Sequence, residues 1–444
     1  MVNPQAEELN TIIKQNNPVI YNLLSEKGRA IFFPKKGILS QTAEAKGKAI
    51  NATIGAAIED DGSPMRLKSI EKNIKIDPKD AFPYAPSYGK KELREEWLKK
   101  IKEKNPGLKE QTSIPVVTNA ITHGLSMVGY LFVNPGEKII LTDKFWGNYR
   151  LIFENAYGAV LDAFNTFKDN KFDIEALKNK LGQEKGKKIL LLNFPNNPSG
   201  YTPTVGEAEQ IIKIITERAK KGNEMIVICD DAYFGLVYKE GIYKESLFSR
   251  LASAHKNILA VKLDGATKED YVWGFRTGFI TFSSKGIAKE TCEALESKTA
   301  GAIRGNISNS PHISQSLVLE AFTSPTYKEE KKEKYNLLKS RFNKVEQVLK
   351  DKRFSGFFSP FPFNSGYFMC IQLKEGIDAE KVRKTLLEKY DTGVISINNM
   401  LRIAFSSVAE KDIPRLFENI YEACRDSSIK DKQATRITRD NIKR

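Results

Sequence analysis

The sequence has few of the residues that bind metals or form disulfides, with four cysteines and three histidines in 444 residues. The cysteines are too far apart for a CxxC pair, which excludes the usual thiol-based metal and redox motifs and a disulfide framework. The three histidines are equally isolated, so we predict that the protein has no zinc or iron site. Unpaired cysteines of this kind are typical of a reducing compartment, and we therefore expect a cytoplasmic protein.

Long apolar runs are also absent from the sequence. The best of them, at 189–192 and 225–229, are far shorter than the roughly 18 apolar residues that a membrane-spanning helix requires. Residues 1–15 include two acids and no apolar stretch, which is not the pattern of a secretory signal. We therefore expect no membrane partner.

Negative charge is in deficit, because 70 Lys and Arg stand against 55 Asp and Glu and leave a net charge of +15. Such an excess first points to an acidic partner such as nucleic acid, phosphate or a carboxylate. Much of it falls on predicted helix faces and on the tail, at 90–104, 328–334 and 425–444, and the chain has no recognised nucleic-acid motif. We interpret these charges as solvated surface and expect no nucleic-acid partner.

Short β-branched runs alternate with helix-length amphipathic stretches through the middle of the chain. The runs predict buried strands at 114–118, 138–142, 188–194, 225–229, 258–263 and 278–282. Helices are predicted at 206–220, with Thr204 as a possible N-cap, at 287–297 and at 326–349. This alternation is typical of an α/β fold with a mostly parallel sheet, in which ligands bind beyond the carboxyl ends of the strands.

The pattern also predicts how the chain divides into domains. We expect a large domain over residues 76–324 and a smaller α+β domain over 325–444. Residues 1–75 lack the alternation and carry loop signals at NNP, FPKKG and DDGSP, so we expect them to form an arm and part of the smaller domain. The polar tail from residue 425 is predicted to be a frayed helix or a disordered end.

Five polar side chains follow the predicted strands at the edge where a ligand would bind. They are Asn197, Asp230, Tyr233, Lys268 and Arg276. Any one of them would mean little, since Asn in a turn and a solvated Lys are common. Together they are what a pyridoxal phosphate site needs: an amine for the aldehyde, an acid for the pyridine nitrogen, donors for the ring oxygen and a cation for the phosphate.

Two of these positions have informative neighbours. Small residues, Gly265 and Ala266, precede Lys268 and leave room for a ligand's close approach, and the pKa of an amine held in such a pocket can fall. Asp230 leaves an apolar strand, which is unusual enough to indicate function. Aspartate suits helix N-caps, and we predict that role for Asp231.

These motifs resemble those of the class I/II aminotransferases, fold type I pyridoxal phosphate enzymes of the aspartate aminotransferase superfamily, over about residues 50–410. The resemblance implies a large domain with a mostly parallel seven-stranded sheet flanked by helices, plus a smaller α+β domain. It implies that Asn197, in NPSG, and Tyr233, in DDAY, bond the ring oxygen of the cofactor while Asp230 faces the pyridine nitrogen. It also implies that Lys268 binds the cofactor covalently and later moves a proton, and that Arg276 binds the phosphate.

Further cofactor contacts follow from the same resemblance. The stretch from Ala120 through Ile121 to Thr122 looks like the family's phosphate cradle at a helix N-terminus. Trp146 fits the aromatic that stacks on the pyridine ring, although an ordinary core tryptophan is the alternative. Tyr84 resembles the tyrosine that reaches the phosphate of a neighbouring subunit, which would make the enzyme a homodimer with shared sites.

Substrate contacts are implied as well. Arg402, alone among apolar residues in MLRIAF, resembles the arginine that clamps the α-carboxylate; a structural ion pair is the alternative. Gly55, in the loop NATIG, and Asn197 would also contact the substrate. Arg304 aligns with an arginine that binds a distal carboxylate across the dimer in some members, and a surface or interface role is an equal alternative.

One position departs from the family. Serine usually stands three residues before the cofactor-binding lysine and helps to hold the phosphate, whereas this chain has Gly265. We expect Thr267 or another group to compensate.

We therefore predict a pyridoxal 5'-phosphate-dependent aminotransferase that moves an amino group between an amino acid and a 2-oxo acid by a ping-pong mechanism. Two alternatives stay open at this point. The first is another fold type I enzyme, such as a β-lyase or an aminocyclopropane carboxylate synthase-like enzyme, because these share nearly all the motifs. The second is a non-catalytic regulator on the same fold, against which the 75 residues before the sheet show no helix-turn-helix pattern.

Overall fold

The computed structural model describes residues 3–16, 18–31, 38–182 and 184–442. The strands are β1 (Ile50–Asn51), β2 (Val116–Asn119), β3 (Lys138–Thr142), β4 (Val160–Phe164), β5 (Phe167–Lys168), β6 (Lys171–Phe172), β7 (Lys187–Asn193), β8 (Glu224–Asp230), β9 (Ile258–Asp264), β10 (Thr277–Ser283), β11 (Phe358–Pro360), β12 (Phe368–Leu373), β13 (Thr392–Gly393), β14 (Ile395–Ile397) and β15 (Met400–Ala404).

The α-helices are α1 (Pro4–Asn16), α2 (Pro18–Leu23), α3 (Glu26–Ala30), α4 (Ile38–Glu44), α5 (Lys68–Glu71), α6 (Lys91–Lys104), α7 (Ala120–Phe132), α8 (Ile174–Leu181), α9 (Val205–Lys220), α10 (Leu247–Leu251), α11 (Ala266–Glu269), α12 (Lys289–Asn306), α13 (His312–Thr323), α14 (Tyr327–Val348), α15 (Ala379–Lys389) and α16 (Ile413–Ile442). A π-helical segment covers Arg150–Asn155, and short 3₁₀ turns occur at Pro78–Asp80, Trp273–Phe275, Lys352–Gly356, Phe405–Ser407 and Glu410–Asp412.

Seven strands form the main sheet in the order β2-β10-β9-β8-β7-β3-β4. Strand β10 runs antiparallel to both neighbours and the other pairs are parallel, so the predicted mostly parallel seven-stranded sheet is confirmed. The central strands β8 and β9 are apolar runs buried almost along their length, as expected when helices cover both faces. Strand β4 was not predicted, because this edge strand is only half-buried and its sequence, VLDAF, carries an acid.

The flanking helices begin and end close to the predicted positions where the sequence carries a clear cap. Helix α9 begins after Thr204, whose hydroxyl accepts a hydrogen bond from the backbone of Glu207 while the Glu207 carboxylate accepts from the backbone of Thr204. Helix α12 is longer than predicted and extends to Asn306. Two glycines in its second half weaken the helical pattern of the sequence, but Ala300 and Ile303 there are buried against the sheet layer.

A four-stranded antiparallel sheet, in the order β11-β12-β15-β14, forms the core of the smaller domain. Part of the N-terminal segment joins it: β1 pairs in parallel with β13, and Gln41 of α4 exchanges hydrogen bonds with the backbone of Ser396 at 3.0 and 2.7 Å. The α/β class with a smaller α+β domain is thus confirmed, while the division of the chain at residues 75/76 and 324/325 stays a prediction. The loop signal FPKKG lies outside the described residues.

Helix α16 extends to Ile442. The tail from residue 425, for which a frayed helix or a disordered end was predicted, is therefore helical as far as the structure describes it, and the last two residues lie outside the described range. Among the described residues, no helix combines the length and apolar character needed to cross a membrane. The same residues contain no group of three or more His, Cys, Asp or Glu side chains arranged to hold a metal ion.

Candidate active site

A cavity of about 320 Å³ lies beyond the carboxyl ends of β7, β8 and β9, between the main sheet and the smaller domain. Its polar lining comes from strand ends and helix starts, as expected for an open α/β sheet. The lining residues are Ile38, Thr42, Thr53, Ile54, Gly55, Ala120, Ile121, Thr122, Trp146, Tyr149, Asn193, Asn197, Asp230, Ala232, Tyr233, Thr267, Lys268, Arg276, Phe368 and Arg402.

One end of the cavity is built to receive an anion. Ala120, Ile121 and Thr122 form the first turn of α7. The backbone N–H of Ala120 already donates to the Arg276 carbonyl at 2.8 Å, so the N–H groups of Ile121 and Thr122, together with the helix dipole, favour negative charge. Arg276 also lines this cavity; it donates to the backbone carbonyl of Trp273 at 3.2 Å and forms no ion pair within the described ranges. Burial lowers the pKa of its guanidinium, which nevertheless stays charged.

Two glycines let the backbone approach closely at this end. A Cβ on Gly278 would lie 2.6 Å from the carbonyl carbon of Ala120, and a Cβ on Gly265 would lie 2.6 Å from the carbonyl oxygen of Thr277. A serine at position 265 would therefore collide with the backbone of β10, which explains why this chain departs from the family pattern there. Thr267 lines the cavity, and its hydroxyl makes only a long contact of 3.5 Å to the Thr277 carbonyl.

Asp230 occupies the middle of the cavity at the end of β8. Its carboxylate accepts a hydrogen bond of 2.5 Å from the hydroxyl of Tyr149 and one of 3.1 Å from the backbone of Ala232. Burial raises the pKa of the Asp230 carboxyl, while the hydrogen bond from Tyr149 and the positive charge of Lys268 oppose that shift. The site therefore holds a carboxylate that would gain from a further cationic partner.

Asn193, at the end of β7, explains how the neighbouring loop is positioned. Its side-chain amide donates to the carbonyl of Asp230 at 2.9 Å, and its side-chain oxygen accepts from the backbone of Asn197 at 2.9 Å. The side chain thus ties the NPSG loop to the adjacent strand end. Asn197 and Tyr233 then face the same cavity.

Lys268 lies on the short helix α11, directly after β9. Its Nζ is 4.7 Å from the centre of the Tyr233 ring, and its carbonyl accepts a hydrogen bond of 3.1 Å from the hydroxyl of Tyr367. Desolvation lowers the pKa of the Lys268 ammonium to about 8; the carboxylate of Asp230 opposes this shift and the charge of Arg276 adds to it. An amine with this pKa is partly neutral near pH 7.5 and can act as a nucleophile.

Arg402, on β15, lines the opposite end of the cavity. One Nη donates to the Thr53 carbonyl at 3.0 Å, the other lies 3.4 Å from the side-chain oxygen of Asn197, and the guanidinium carbon is 4.3 Å from the centre of the Phe368 ring. The side chain is buried, its Nε has no hydrogen-bond partner, and no carboxylate pairs with it within the described part of the chain. This geometry favours a ligand carboxylate over the structural ion pair as the missing partner.

A second buried lysine lies close by but faces away from the cavity. Lys262, on β9, pairs with the carboxylates of Asp231 and of Asp264, the latter at 3.3 Å. Asp231 also accepts a hydrogen bond of 2.6 Å from Ser246. The prediction that Asp231 caps a helix is wrong, because a turn follows β8 and the carboxylate is used to pair the buried lysine instead.

Tyr84 and Arg304 lie outside this cavity of the single chain. The Tyr84 side chain is 89% exposed. Arg304 is exposed on α12 and donates a hydrogen bond of 2.9 Å to the hydroxyl of Ser308. Every other candidate site residue from the sequence lines the cavity.

Several lining residues escaped the sequence reasoning. Tyr149 had a usable signal, because it follows Trp146 by about one helical turn and both rings meet edge to face at 5.6 Å between centres. Ile38, Thr42 and Phe368 had none, since they are apolar or neutral residues in segments without a motif.

The cavity, its polar residues at consecutive strand ends and the mixed seven-stranded sheet define the class as fold type I pyridoxal phosphate enzymes. The fold matches that of an aminotransferase from Anaerococcus prevotii with a TM-score of 0.78, at 23% identity over 90% of this chain and 98% of that one. It also matches a Pyrococcus horikoshii kynurenine aminotransferase whose structure contains PMP, with a TM-score of 0.75 at 16% identity over 92% of this chain and 98% of that one.

The sequence profile of the family "Aminotransferase class I and II" matches residues 50–420, and the chain belongs to that family. It is 24% identical over 290 residues to an aspartate aminotransferase of a Bacillus species, covering 65% of this chain and 68% of that protein. It is 25% identical over 303 residues to a probable N-acetyl-LL-diaminopimelate aminotransferase of Bacillus subtilis, covering 68% and 70%. The protein is therefore a pyridoxal phosphate-dependent aminotransferase, which moves an amino group between an amino acid and a 2-oxo acid.

The residues present fit that cofactor. Its phosphate needs a cation and backbone donors, and Arg276 and the start of α7 offer both; a Cβ at Gly278 would collide with the backbone of Ala120 and Ile121 that begins this helix. Its pyridine nitrogen needs an acid, which Asp230 provides. Its aldehyde needs a reactive amine, and the lowered pKa of Lys268 meets that need.

Proposed function

We propose that Lys268 is the residue that binds the cofactor covalently and that moves the proton at the substrate's Cα. The observation that carries this assignment is the position of Lys268: it lines the same cavity as Asp230 and Arg402 and its pKa is lowered to about 8. When bound, pyridoxal phosphate supplies an aldehyde that accepts the amino group and a ring that withdraws electrons from Cα.

The other residues around the cofactor are proposed to hold it in place. Arg276, Thr267 and the backbone N–H groups of Ile121 and Thr122 would bind the phosphate, while the N–H of Ala120 holds the Arg276 carbonyl. Asp230, fixed by Tyr149, would keep the pyridine nitrogen protonated. Asn197 and Tyr233 would donate hydrogen bonds to the ring oxygen, and Trp146 would pack on the ring face.

At the substrate end, Arg402 is proposed to bind the α-carboxylate through a bidentate pair. Its guanidinium is already oriented by Thr53 and Asn197 and stacked on Phe368, so little side-chain freedom is lost on binding. Gly55, in the loop beside Thr53, would close over the substrate. These contacts would orient the Cα–H bond toward the Lys268 amine, which takes the proton.

The test of this assignment is borohydride reduction of the cofactor-loaded enzyme followed by peptide mapping. We expect the reduced label on Lys268, and a label on any other lysine would contradict the proposal. Half-reaction spectra with single amino acids provide a second readout. Stoichiometric formation of the pyridoxamine phosphate form is expected for transamination, whereas a β-lyase would release product without accumulating that form.

We also propose that the protein is a cytoplasmic homodimer in which Tyr84 reaches the phosphate bound by a second copy. The support is an exposed aromatic and apolar cluster formed by Phe82, Tyr84 and Ile313, which His312 joins through a contact of 2.9 Å to the Pro83 carbonyl. Light scattering should give twice the mass of the chain, and Phe82→Asp should lower it. A monomeric parent protein that still binds the cofactor tightly would contradict the homodimer. Cell fractionation tests the proposed cytoplasmic location.

A further inference from the structure

The wall of the cavity beside Arg402 is apolar. Arg402 donates to the carbonyl of Thr53, so Ile54 lies next to it, and its guanidinium is stacked on Phe368, which is almost fully buried. Both Ile54 and Phe368 line the cavity. A substrate held by its carboxylate at Arg402 would therefore place its side chain near these two residues.

Helix α4 completes the same wall. Gln41 anchors it to the backbone of Ser396, the neighbour of Ile395, and Ile395 pairs with Arg402 across β14 and β15. Ile38 and Thr42 are four residues apart and thus share one face of the helix, and both line the cavity. The anchor thus holds an isoleucine and a threonine on the cavity wall from a helix packed against β14, the strand paired with that of Arg402.

Charge is distributed unevenly in the cavity. Among the described lining residues the cations are Lys268, Arg276 and Arg402. Lys268 and Arg276 influence each other and so belong to the cofactor end, which leaves Arg402 for the substrate. A second carboxylate on the substrate would lie against isoleucine and phenylalanine, and burying an unpaired charge there is costly.

We propose that the cavity selects amino acids and 2-oxo acids with an uncharged, apolar side chain, which contacts Ile38, Ile54 and Phe368. Because Arg402 is taken as the ligand of the α-carboxylate, the assignment rests on the proposed function. The competing possibility is that Arg304 of a second copy enters the cavity and pairs with a distal carboxylate. In this chain Arg304 is exposed and donates to Ser308, so it is available for such a role.

The first experiment compares two donors that differ only at the end of the side chain, L-norvaline and L-glutamate. Single-turnover conversion of the cofactor to its pyridoxamine form is followed by absorbance. We expect norvaline to react at least about tenfold faster than glutamate at equal subsaturating concentration. Equal or faster reaction with glutamate would overturn the proposal.

A binding measurement separates this proposal from the proposed function. Pentanoate and glutarate carry the same five-carbon chain and cannot react, so their dissociation constants for the cofactor-loaded enzyme report on the cavity wall alone. We expect pentanoate to bind at least about tenfold more tightly than glutarate. If borohydride reduction does not label Lys268, the proposed function fails, and the preference between the two inert ligands still decides the apolar assignment.

Three variants locate the effect. Ile38→Ala should weaken pentanoate binding about tenfold and leave glutarate unchanged, because it removes apolar contact area. Thr42→Val, one helical turn away and nearly isosteric, is the matched control and should leave pentanoate binding equal or tighter. Arg304→Ala should change neither ligand. The proposal would be overturned if glutamate were the faster donor in the parent enzyme and Arg304→Ala lost only glutarate binding and reaction with glutamate. That result would assign a distal-carboxylate role to Arg304.

Discussion

Lys262 and Lys268 lie six positions apart on one β9–α11 segment, yet their surroundings give them opposite properties. Lys262 is fully buried between the carboxylates of Asp231 and Asp264, which outweigh desolvation and raise the pKa of its ammonium. Lys268 forms no ion pair within the described residues, and desolvation lowers the pKa of its ammonium to about 8. Lys262 is therefore a permanent positive charge, whereas the amine of Lys268 is suited to act as a nucleophile.

The two acids at the end of β8 divide in the same way. Asp230 is the last residue of the strand, and Asp231 directly follows it and continues the pairing with β9 through a backbone hydrogen bond to Leu263, so their side chains point to opposite faces. Asp230 therefore faces the cavity and is held by Tyr149, while Asp231 faces Lys262 and Ser246. The comparison teaches that the number of carboxylates within reach, and not burial as such, separates a structural lysine from a reactive one.

The largest effect should come from Lys268→Ala. We expect the transamination rate to fall on the order of 10⁴-fold, because the group that binds the cofactor and moves the proton is lost. The midpoint of thermal unfolding of the apoenzyme should change little, since Lys268 forms no ion pair within the described residues. Steady-state rates and calorimetry check the two statements, and a variant that keeps more than a tenth of the activity would contradict the assignment.

Lys262→Met should show the opposite profile. Removal of the ammonium leaves the buried Asp231 and Asp264 facing each other, and we expect the free energy of unfolding to fall by about 3–5 kcal/mol. Denaturant unfolding measures this loss. Adding Asp231→Asn in the same chain should recover part of it, and a double variant no more stable than Lys262→Met would show that the pair is not the source of the effect.

The pH dependence of cofactor loading separates the lysines without mutation of either. Only a neutral amine attacks the aldehyde, so the loading rate of the apoenzyme should rise about tenfold per pH unit up to pH 8 and then level off. Asp230→Asn is the control: it removes a carboxylate that favours the ammonium, so the pKa of Lys268 and the plateau should move to lower pH. Stopped-flow absorbance follows the reaction, and a plateau near the ordinary lysine pKa would contradict this account.

The smallest effect is expected at Gly265, between the two lysines. Gly265→Ser restores the family's residue, but its Cβ would lie 2.6 Å from the Thr277 carbonyl oxygen and would push β10 and α11 apart. We expect the dissociation constant for pyridoxal phosphate to rise about tenfold. Fluorescence titration measures it, with Gly301→Ser on α12 as the control because a Cβ there meets nothing within 4 Å. Tighter binding in Gly265→Ser would show that the hydroxyl outweighs the collision.

Much of the cofactor end of the cavity could be predicted from the sequence, because polar residues at strand ends stand out against the apolar runs beside them. Asp230 and Lys268 each follow an apolar strand, and the topology of a parallel sheet brings such positions to one edge. Arg276 reaches the same edge because it directly precedes β10, which runs antiparallel. The partner of Asp231 could not be predicted. Nothing in the apolar run 258–263 indicates that the segment after a neighbouring strand supplies a carboxylate to Lys262.

The substrate wall was equally hidden. Ile38 and Thr42 face the cavity because long-range contacts hold α4 in place: Gln41 binds Ser396, 355 positions away, and Glu44 pairs with Arg383 at 2.9 Å. Apolar residues of this kind have no distinguishing pattern, and long-range pairing decides their position. The collision at Gly265 likewise depends on the close approach of β9 and β10, which a single sequence does not specify.

The order of the elements along the chain also determines when each end of the cavity is synthesised. Strand β10 ends at Ser283, and with it every strand of the main sheet has been made. Arg402 and the anchor of α4 at Ser396 emerge only near the end of synthesis, and domains generally fold as the chain appears. The residues proposed to hold the cofactor, from Ala120 to Arg276, are thus all synthesised more than a hundred positions before Arg402, so the proposed substrate carboxylate site is the last part of the cavity to be made.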